Sequence, residues 1–178
     1  MKLTQTSPEV FVAEGPISVI GPEDIAVLRE ALHKTPRKRV RINAHPDRDD
    51  PLHEMIIAIS RNSYIRPHKH PSKSEAFHIV EGAVDIIIFD NDGEIAKVIP
   101  LSAPGSGKPF YYRMSEPFFH TLIIRSEYLV VHEITNGPYR VDGAVFADFA
   151  PRDDDSVGAA KYCAELERRV SLFLAGGK

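Results

Sequence analysis

The chain lacks the features that mark several large classes of protein. Its 178 residues contain no tryptophan and a single cysteine, Cys163, so an internal disulfide is impossible. No apolar run approaches the roughly 20 residues of a membrane-spanning helix, and residues 1–20 lack the apolar core of a secretory signal. The formal net charge of −3 provides no basic field for nucleic acid. These absences predict a cytoplasmic protein that binds neither nucleic acid nor membrane.

Helical signals lie near the two ends of the chain. Proline and acidic residues after Gly21 begin a helix that should end near Lys34. A second helix is predicted after residues 153–156, where apolar residues keep helical spacing as far as Phe173. The basic run at 34–41 is read as a solvated loop leading into a strand, in preference to a phosphate-binding patch.

Between these helices, short β-rich runs follow one another, separated by turn signals such as Glu81-Gly82. The eight predicted strands are residues 54–60, 64–70, 76–80, 84–90, 95–101, 110–113, 120–124 and 128–134. We therefore predict a mainly β fold, an antiparallel sandwich or jelly-roll barrel. The barrel is expected at residues 37–141, with helical extensions at 1–36 and 142–178.

The residues most specific for chemistry are His68, His70 and Glu75. Side chains two apart in a strand share a face, about 7 Å apart at the backbone, so both histidines can address one ion. Imidazole plus carboxylate suits one divalent transition metal, Fe, Mn, Ni or Zn. A fourth ligand is expected from a later strand, with His120 as first choice and His132 in reserve. Open coordination positions would make the metal catalytic, whereas a closed tetrahedral zinc shell would be structural.

The spacing of these residues resembles the first conserved motif of the cupin superfamily, here His68-x-His70-x4-Glu75-x6-Gly82. The resemblance implies a small double-stranded β-helix barrel. Asn62 replaces the opening glycine of that motif. Of the second cupin motif only the histidine is matched, by His120, and its surroundings depart from the pattern at Ser115, Pro117 and Ile124.

A narrower resemblance covers about residues 37–140. The segments that look like the WbuC family of cupin-fold metalloproteins are residues 39–46, 49–55, 63–75, 89–93 and 135–139. Members of that family are similar to proteins encoded among bacterial surface-polysaccharide genes. The resemblance implies a bound metal and a place in polysaccharide metabolism. Cupins also commonly pair their sheets, which implies a homodimer.

Two candidate substrate contacts, Tyr64 and Arg66, share alternation parity with the two histidines, so a regular strand aims them into the same cavity. A buried arginine needs an anionic partner. That partner would be Glu54, or a bound acid or phosphate, unless a bulge exposes Arg66. Further candidates for substrate binding are Lys73 and Arg113.

Tyr111 and Tyr112 alternate along their strand, so at most one of them faces inward, where it would donate a proton or simply pack. Of the other histidines, His78 is predicted to face away from Glu75 and to pack, and His45 and His53 are predicted at the surface.

The combined prediction is a metal-dependent enzyme of isomerase, epimerase or lyase type. Its substrate would be a polar or anionic small molecule, such as a sugar or nucleotide-sugar in surface-polysaccharide metabolism. The alternatives are an iron-dependent oxygenase and a non-catalytic carbohydrate- or metabolite-binding module. Fold resemblance does not choose among them, because cupin barrels host unrelated chemistries.

Overall fold

The computed structural model describes residues 2–176. In chain order the elements are β1 (Leu3–Ser7), β2 (Val10–Ala13), α1 (Pro22–Leu32), β3 (Arg39–Asn43), β4 (Leu52–Ser60), β5 (His68–Lys69), β6 (Glu75–Glu81), β7 (Ala83–Phe89), β8 (Ile95–Ser102), β9 (Tyr111–Met114), β10 (Phe119–Ile124), β11 (Tyr128–Asn136), β12 (Val145–Phe146) and α2 (Ser156–Gly176). The strands form a seven-stranded sheet in the order β1-β2-β3-β4-β11-β6-β9 and a five-stranded sheet in the order β12-β5-β10-β7-β8. The pairings are antiparallel except for β2 with β3.

The main core lies between the two sheets, and alternation along each strand decides which side chains enter it. In β7, Val84, Ile86 and Ile88 belong to this inner core, whereas Ile87 and Phe89 face outward and pack against α2. Both faces of the strand are buried, which explains why its sequence is almost continuously apolar.

Each helix covers the outer face of one sheet. The α1 residue Leu28 is fully buried and packs with Val40 and Ile42 of β3 in a second apolar cluster. The helix begins after Gly21, whose N–H donates to the Asp24 carboxylate at 2.9 Å. On the other side, Arg125 binds both Asp85 and Glu167, and so ties α2 to the five-stranded sheet.

The predicted mainly β jelly-roll fold with two helices is confirmed, and each predicted strand has a counterpart. Residues 64–67 are an exception, because only His68–Lys69 of that run joins a ladder. Pro67 has no N–H to contribute to a ladder. No helix among the described residues is long and apolar enough to cross a membrane.

Apart from β3, into which the basic run at 34–41 was predicted to lead, three strands lie outside the eight predicted ones, in the segments expected to be helical extensions. β1 and β2 continue the seven-stranded sheet, and β12 pairs with β5. β1 is almost wholly exposed and β12 has two residues, so neither has the apolar alternation that marks a strand in sequence. The division at residues 37 and 141 stays a prediction.

Candidate metal centre

Three histidines and one glutamate converge between the two sheets. His68 and His120 face each other directly across the β5–β10 pair, and Glu75 begins β6 on the opposite sheet. His70 lies just beyond the end of β5. One potential ligand atom from each of the four side chains lies within 4.8 Å of the other three. The structure thus brings together the four residues predicted to hold a metal.

A hydrogen bond to the backbone orients each imidazole. The Nδ1 atom of His68 lies 2.9 Å from the Arg66 carbonyl, that of His70 3.1 Å from the Gly143 carbonyl, and that of His120 3.0 Å from the Phe118 carbonyl. A carbonyl oxygen only accepts, so Nδ1 must carry the proton in each ring. The Nε2 atoms are therefore the ones left for a ligand, which is the arrangement typical of metal-binding histidines.

Glu75 supplies the carboxylate of the cluster. Its Oε2 lies 3.4 Å from His70 Nε2, and its Oε1 lies 3.5 Å from His120 Nε2. The buried hydroxyl of Tyr112 donates to Oε1 at 2.5 Å. Burial by itself would raise the pKa of Glu75, but the hydrogen bonds from His120, His70 and Tyr112 outweigh burial and hold that pKa well below its usual value. Glu75 is therefore ionised.

The histidines differ in how easily they take a proton. Burial, with help from the neighbouring His120, lowers the pKa of His68 to about 4. Burial also opposes protonation of His70 and His120, but the Glu75 carboxylate outweighs it and raises the pKa of both. In the absence of metal, protons on the Nε2 atoms of His70 and His120 thus stabilise the cluster by binding Glu75, and a divalent cation would replace these protons.

The donor set fits a divalent transition metal. Ligand bonds of about 2.0–2.2 Å place neighbouring donors of a six-coordinate ion about 3 Å apart and opposite donors about 4.2 Å apart. The separations of His70 and His120 from the two Glu75 oxygens, 3.4 and 3.5 Å, lie within about half an ångström of the distance between neighbouring donors, and the four ligand atoms all lie within 4.8 Å of one another. Three imidazoles with one carboxylate suit Fe, Mn, Ni or Zn.

A cavity of about 330 Å³ opens beside the cluster. Apolar side chains from both sheets line it, among them Ile57 of β4 and Leu122 of β10, together with Ile65. Polar groups also line it, among them Glu133 of β11. Burial, reinforced by the negative charge of Glu75, raises the pKa of Glu133 to about 7. A carboxyl group in this position can both accept and donate a proton near neutral pH.

Of the two residues predicted to share the cavity with the histidines, Arg66 does so and Tyr64 does not, because residues 64–67 make no ladder that enforces alternation. Tyr64 turns away from the cavity, packs edge-on against Tyr162 of α2 and donates to the Pro151 carbonyl at 2.8 Å. Arg66 does line the cavity. Its Nη2 donates to the Ala147 carbonyl at 2.8 Å rather than to Glu54, and its Nε is buried without a partner.

The other predicted contacts divide by strand face. Tyr112 faces inward and Tyr111 is 48% exposed, as alternation requires. The Tyr112 hydroxyl is occupied by Glu75, and burial raises its pKa well above 10, which favours a positioning role over proton donation. Arg113 is exposed, with its guanidinium on Ser74 Oγ. Neither Arg113 nor Lys73 lines the cavity.

The remaining histidines lie outside the centre. His78 faces away from Glu75, as predicted, and pairs in register with His132, which lies 3.5 Å from Glu54. The prediction that His45 and His53 are surface residues is wrong, because both are buried and their rings stack at 4.2 Å. The loop at Gly137 covers them, and a side chain there would collide with the Asp50 carbonyl and the His53 ring.

Sequence reasoning did not assign three groups to the cavity: Glu133, the pair Arg39 and Arg41, and the Gly143 carbonyl. The two arginines belong to the basic run at 34–41, for which a phosphate-binding patch was the less favoured interpretation, and they carried a usable signal. Arg39 and Arg41 alternate with the buried Val40 and Ile42, so they must face the opposite side of the sheet. No local pattern marks Gly143, since a loop far along the chain brings it to His70.

The two sheets and the enclosed cluster define a jelly-roll β-barrel protein with a candidate metal centre. Residues 20–101 match a family described as a domain of unknown function, DUF6016. No curated protein matches the chain. That family is not WbuC, and the resemblance to WbuC stays a prediction.

Solved structures with a similar barrel share little sequence with the chain. A protein from Shewanella oneidensis has 9% identity and a TM-score of 0.47, over 58% of this chain and 66% of that one. An uncharacterised double-stranded β-helix protein from Klebsiella pneumoniae has 13% identity and a TM-score of 0.47, over 62% and 80%. The Cnp3 cupin domain of Schizosaccharomyces pombe has 7% identity and a TM-score of 0.43, over 56% and 64%. The chain thus spans less than two thirds of the Shewanella and Schizosaccharomyces chains.

Proposed function

We propose that the protein is a metal-dependent enzyme acting on a polar or anionic small molecule, by isomerisation, epimerisation or elimination. One observation carries the proposal: in all three histidines the Nδ1–H group donates a hydrogen bond to a backbone carbonyl, which leaves three Nε2 atoms beside the ionised Glu75. His68, His70, Glu75 and His120 would hold one divalent ion. When bound, that ion would act as a Lewis acid toward a substrate oxygen.

The protein's own groups divide the remaining work. Glu133 lines the same cavity and, with a pKa of about 7, is the candidate to move a proton at the substrate. Tyr112 holds Glu75 in place. The apolar side chains of Ile57 and Leu122, one from each sheet, would exclude water from part of the cavity. The resemblance to the WbuC family adds the proposal that the substrate is a sugar or nucleotide-sugar of surface-polysaccharide metabolism.

The test is turnover by protein that has been stripped of metal and reloaded. Sugars, sugar phosphates and nucleotide-sugars are incubated with wild-type protein loaded with Mn²⁺, Fe²⁺, Ni²⁺ or Zn²⁺, and the products are followed by NMR. We expect one metal to restore turnover of at least one compound, and Glu133→Gln to lose that turnover while keeping the metal.

The alternatives give different results in the same experiment. Oxygen consumed with the substrate under ferrous loading would indicate an oxygenase. Tight binding without turnover would indicate a binding module. Full activity of metal-stripped protein would refute the proposed mechanism.

A further inference from the structure

Arg39 and Arg41 face the cavity because of the alternation of β3. Val40 and Ile42, 1% and 0% exposed, pack under α1, so the two arginines between and before them lie on the opposite side of the sheet. Both are half-buried and both line the cavity that contains the histidine–glutamate cluster. Residues two apart on a strand lie about 7 Å apart, so their guanidinium groups can reach one ligand.

Neither arginine has a protein anion to pair with. The neighbouring Arg37 binds Glu9 through two nitrogens, which consumes that carboxylate. Among the described residues, no carboxylate lies within ion-pair distance of Arg39 or Arg41, and Arg41 Nε is buried without a hydrogen-bond partner. The acids that act on them at longer range are Asp153 for Arg39, Glu133 for Arg41, and Glu9 for both. A half-buried cation without a partner costs stability, so these two residues are poor choices for the fold alone.

The charge balance of the cavity favours an anionic occupant. Its lining includes four arginines and four carboxylates, which cancel formally: Arg37, Arg39, Arg41 and Arg66 with Glu9, Glu75, Glu133 and Asp153. A divalent ion on the histidine–glutamate cluster would add two positive charges. A dianion would restore neutrality.

The size of the cavity limits what that anion can be. A volume of about 330 Å³ is at the low end of the roughly 300–1,000 Å³ of ligand pockets. It suits a molecule of the size of a single phosphorylated or acidic sugar, and it is small for a nucleotide-sugar.

We infer that Arg39 and Arg41 form the binding site for an oxyanion, a phosphate or a carboxylate, carried by a substrate of single-sugar size. The planar guanidinium fork binds either group through two parallel hydrogen bonds. That the oxyanion belongs to a substrate rests on the proposed function, and the charge-balance argument applies to protein that holds the metal; the guanidinium groups of Arg39 and Arg41, unpaired among the described residues, support the binding site without it.

The test measures oxyanion binding to metal-free protein by calorimetry, with inorganic phosphate in one arm and malonate in the other. We expect Arg41→Gln and Arg39→Gln each to weaken binding of the preferred anion at least tenfold, and Arg41→Lys to weaken it less. The matched control is Arg168→Gln, because Arg168 is exposed on α2 and paired with Glu165. The arm with tighter binding identifies the group.

Thermal unfolding separates a ligand role from a structural one. Because Arg41 has no protein partner, Arg41→Gln should unfold at the same or a higher temperature than wild type while losing the anion. A lower unfolding temperature together with unchanged anion affinity would overturn the inference, as would a wild-type protein that binds neither anion. Metal titration of the same proteins tests the proposed function independently. Wild-type protein that binds phosphate through Arg41 but takes up no divalent ion would refute the metal-dependent enzyme and leave the anion site standing.

Discussion

Removal of a single oxygen atom, in Tyr112→Phe, tests whether the cluster is built to hold a metal. The ring is 8% exposed and packs edge-on against Phe77 at 5.3 Å, so phenylalanine can occupy the same space. What is lost is the hydrogen bond to Glu75 Oε1, 2.5 Å long. Glu75 is 4% exposed, so water has little access to replace that donor.

The size of the effect follows from the charge of the acceptor. A hydrogen bond to an ionised group contributes about 1.5–3 kcal/mol, so metal-free Tyr112→Phe should lose about that much free energy of unfolding. Groups that orient a metal ligand typically change metal affinity about 10–100-fold, which corresponds to about 1.4–2.7 kcal/mol. We expect an affinity loss in that range, because Glu75 would be free to rotate away from the three Nε2 atoms.

The assay is calorimetric titration with Mn²⁺, Ni²⁺ or Zn²⁺, together with urea unfolding of the metal-free protein. Tyr111→Phe is the matched control, because Tyr111 directly precedes Tyr112 in the same strand and is 48% exposed on the outer face. Its metal affinity and stability should equal those of wild type. A Tyr112→Phe protein that binds metal within twofold of wild type, with unchanged stability, would show that the hydroxyl does not position Glu75.

Three other perturbations have defined outcomes. His120→Ala removes one of four ligands and should weaken metal binding at least about 100-fold, whereas His78→Ala, on the outer face of β6, should leave it unchanged; equal losses would refute the assignment. Glu75 raises the pKa of His70 and His120, so protons compete with the metal for these two side chains. Metal affinity should therefore rise with pH, and at a pH low enough to protonate both histidines it should fall by up to about 100-fold for each further unit of decrease in pH. Titrations that do not depend on pH would contradict this. Leu28→Ala should cost about 2–5 kcal/mol of unfolding free energy without changing metal affinity, measured by urea unfolding and calorimetry.

The sequence was sufficient to predict that His68, His70 and Glu75 converge, because their geometry is local. His68 and His70 are two residues apart and Glu75 follows after a short loop, so strand alternation alone nearly determines their relation. His120 needed one further step, namely that a later strand must supply a fourth ligand. The β5–β10 register places it directly opposite His68.

Features set by distant loops were not predictable in the same way. The prediction from strand alternation was wrong for Tyr64 because residues 64–67 join no ladder. Its hydroxyl instead donates to the carbonyl of Pro151, 87 residues further along the chain. The carbonyl that orients His70 comes from Gly143, in a segment predicted to be a helical extension. The periodicity of a sequence predicts its helices and strands, whereas these contacts depend on how loops pack across the helices and strands.

The hydrogen bonds of the cavity separate the groups that the fold satisfies from those that it leaves for a ligand. Buried polar atoms are normally paired, and here each histidine Nδ1 has a carbonyl while Glu75 has Tyr112. The Nε2 atoms of His70 and His120 contact only Glu75, and within residues 2–176 neither His68 Nε2 nor the guanidinium of Arg41 has a carbonyl or carboxylate partner. A fold under selection for stability alone would replace such groups with apolar side chains. Their presence on one cavity is the observation on which the proposed cation site and the proposed anion site both rest.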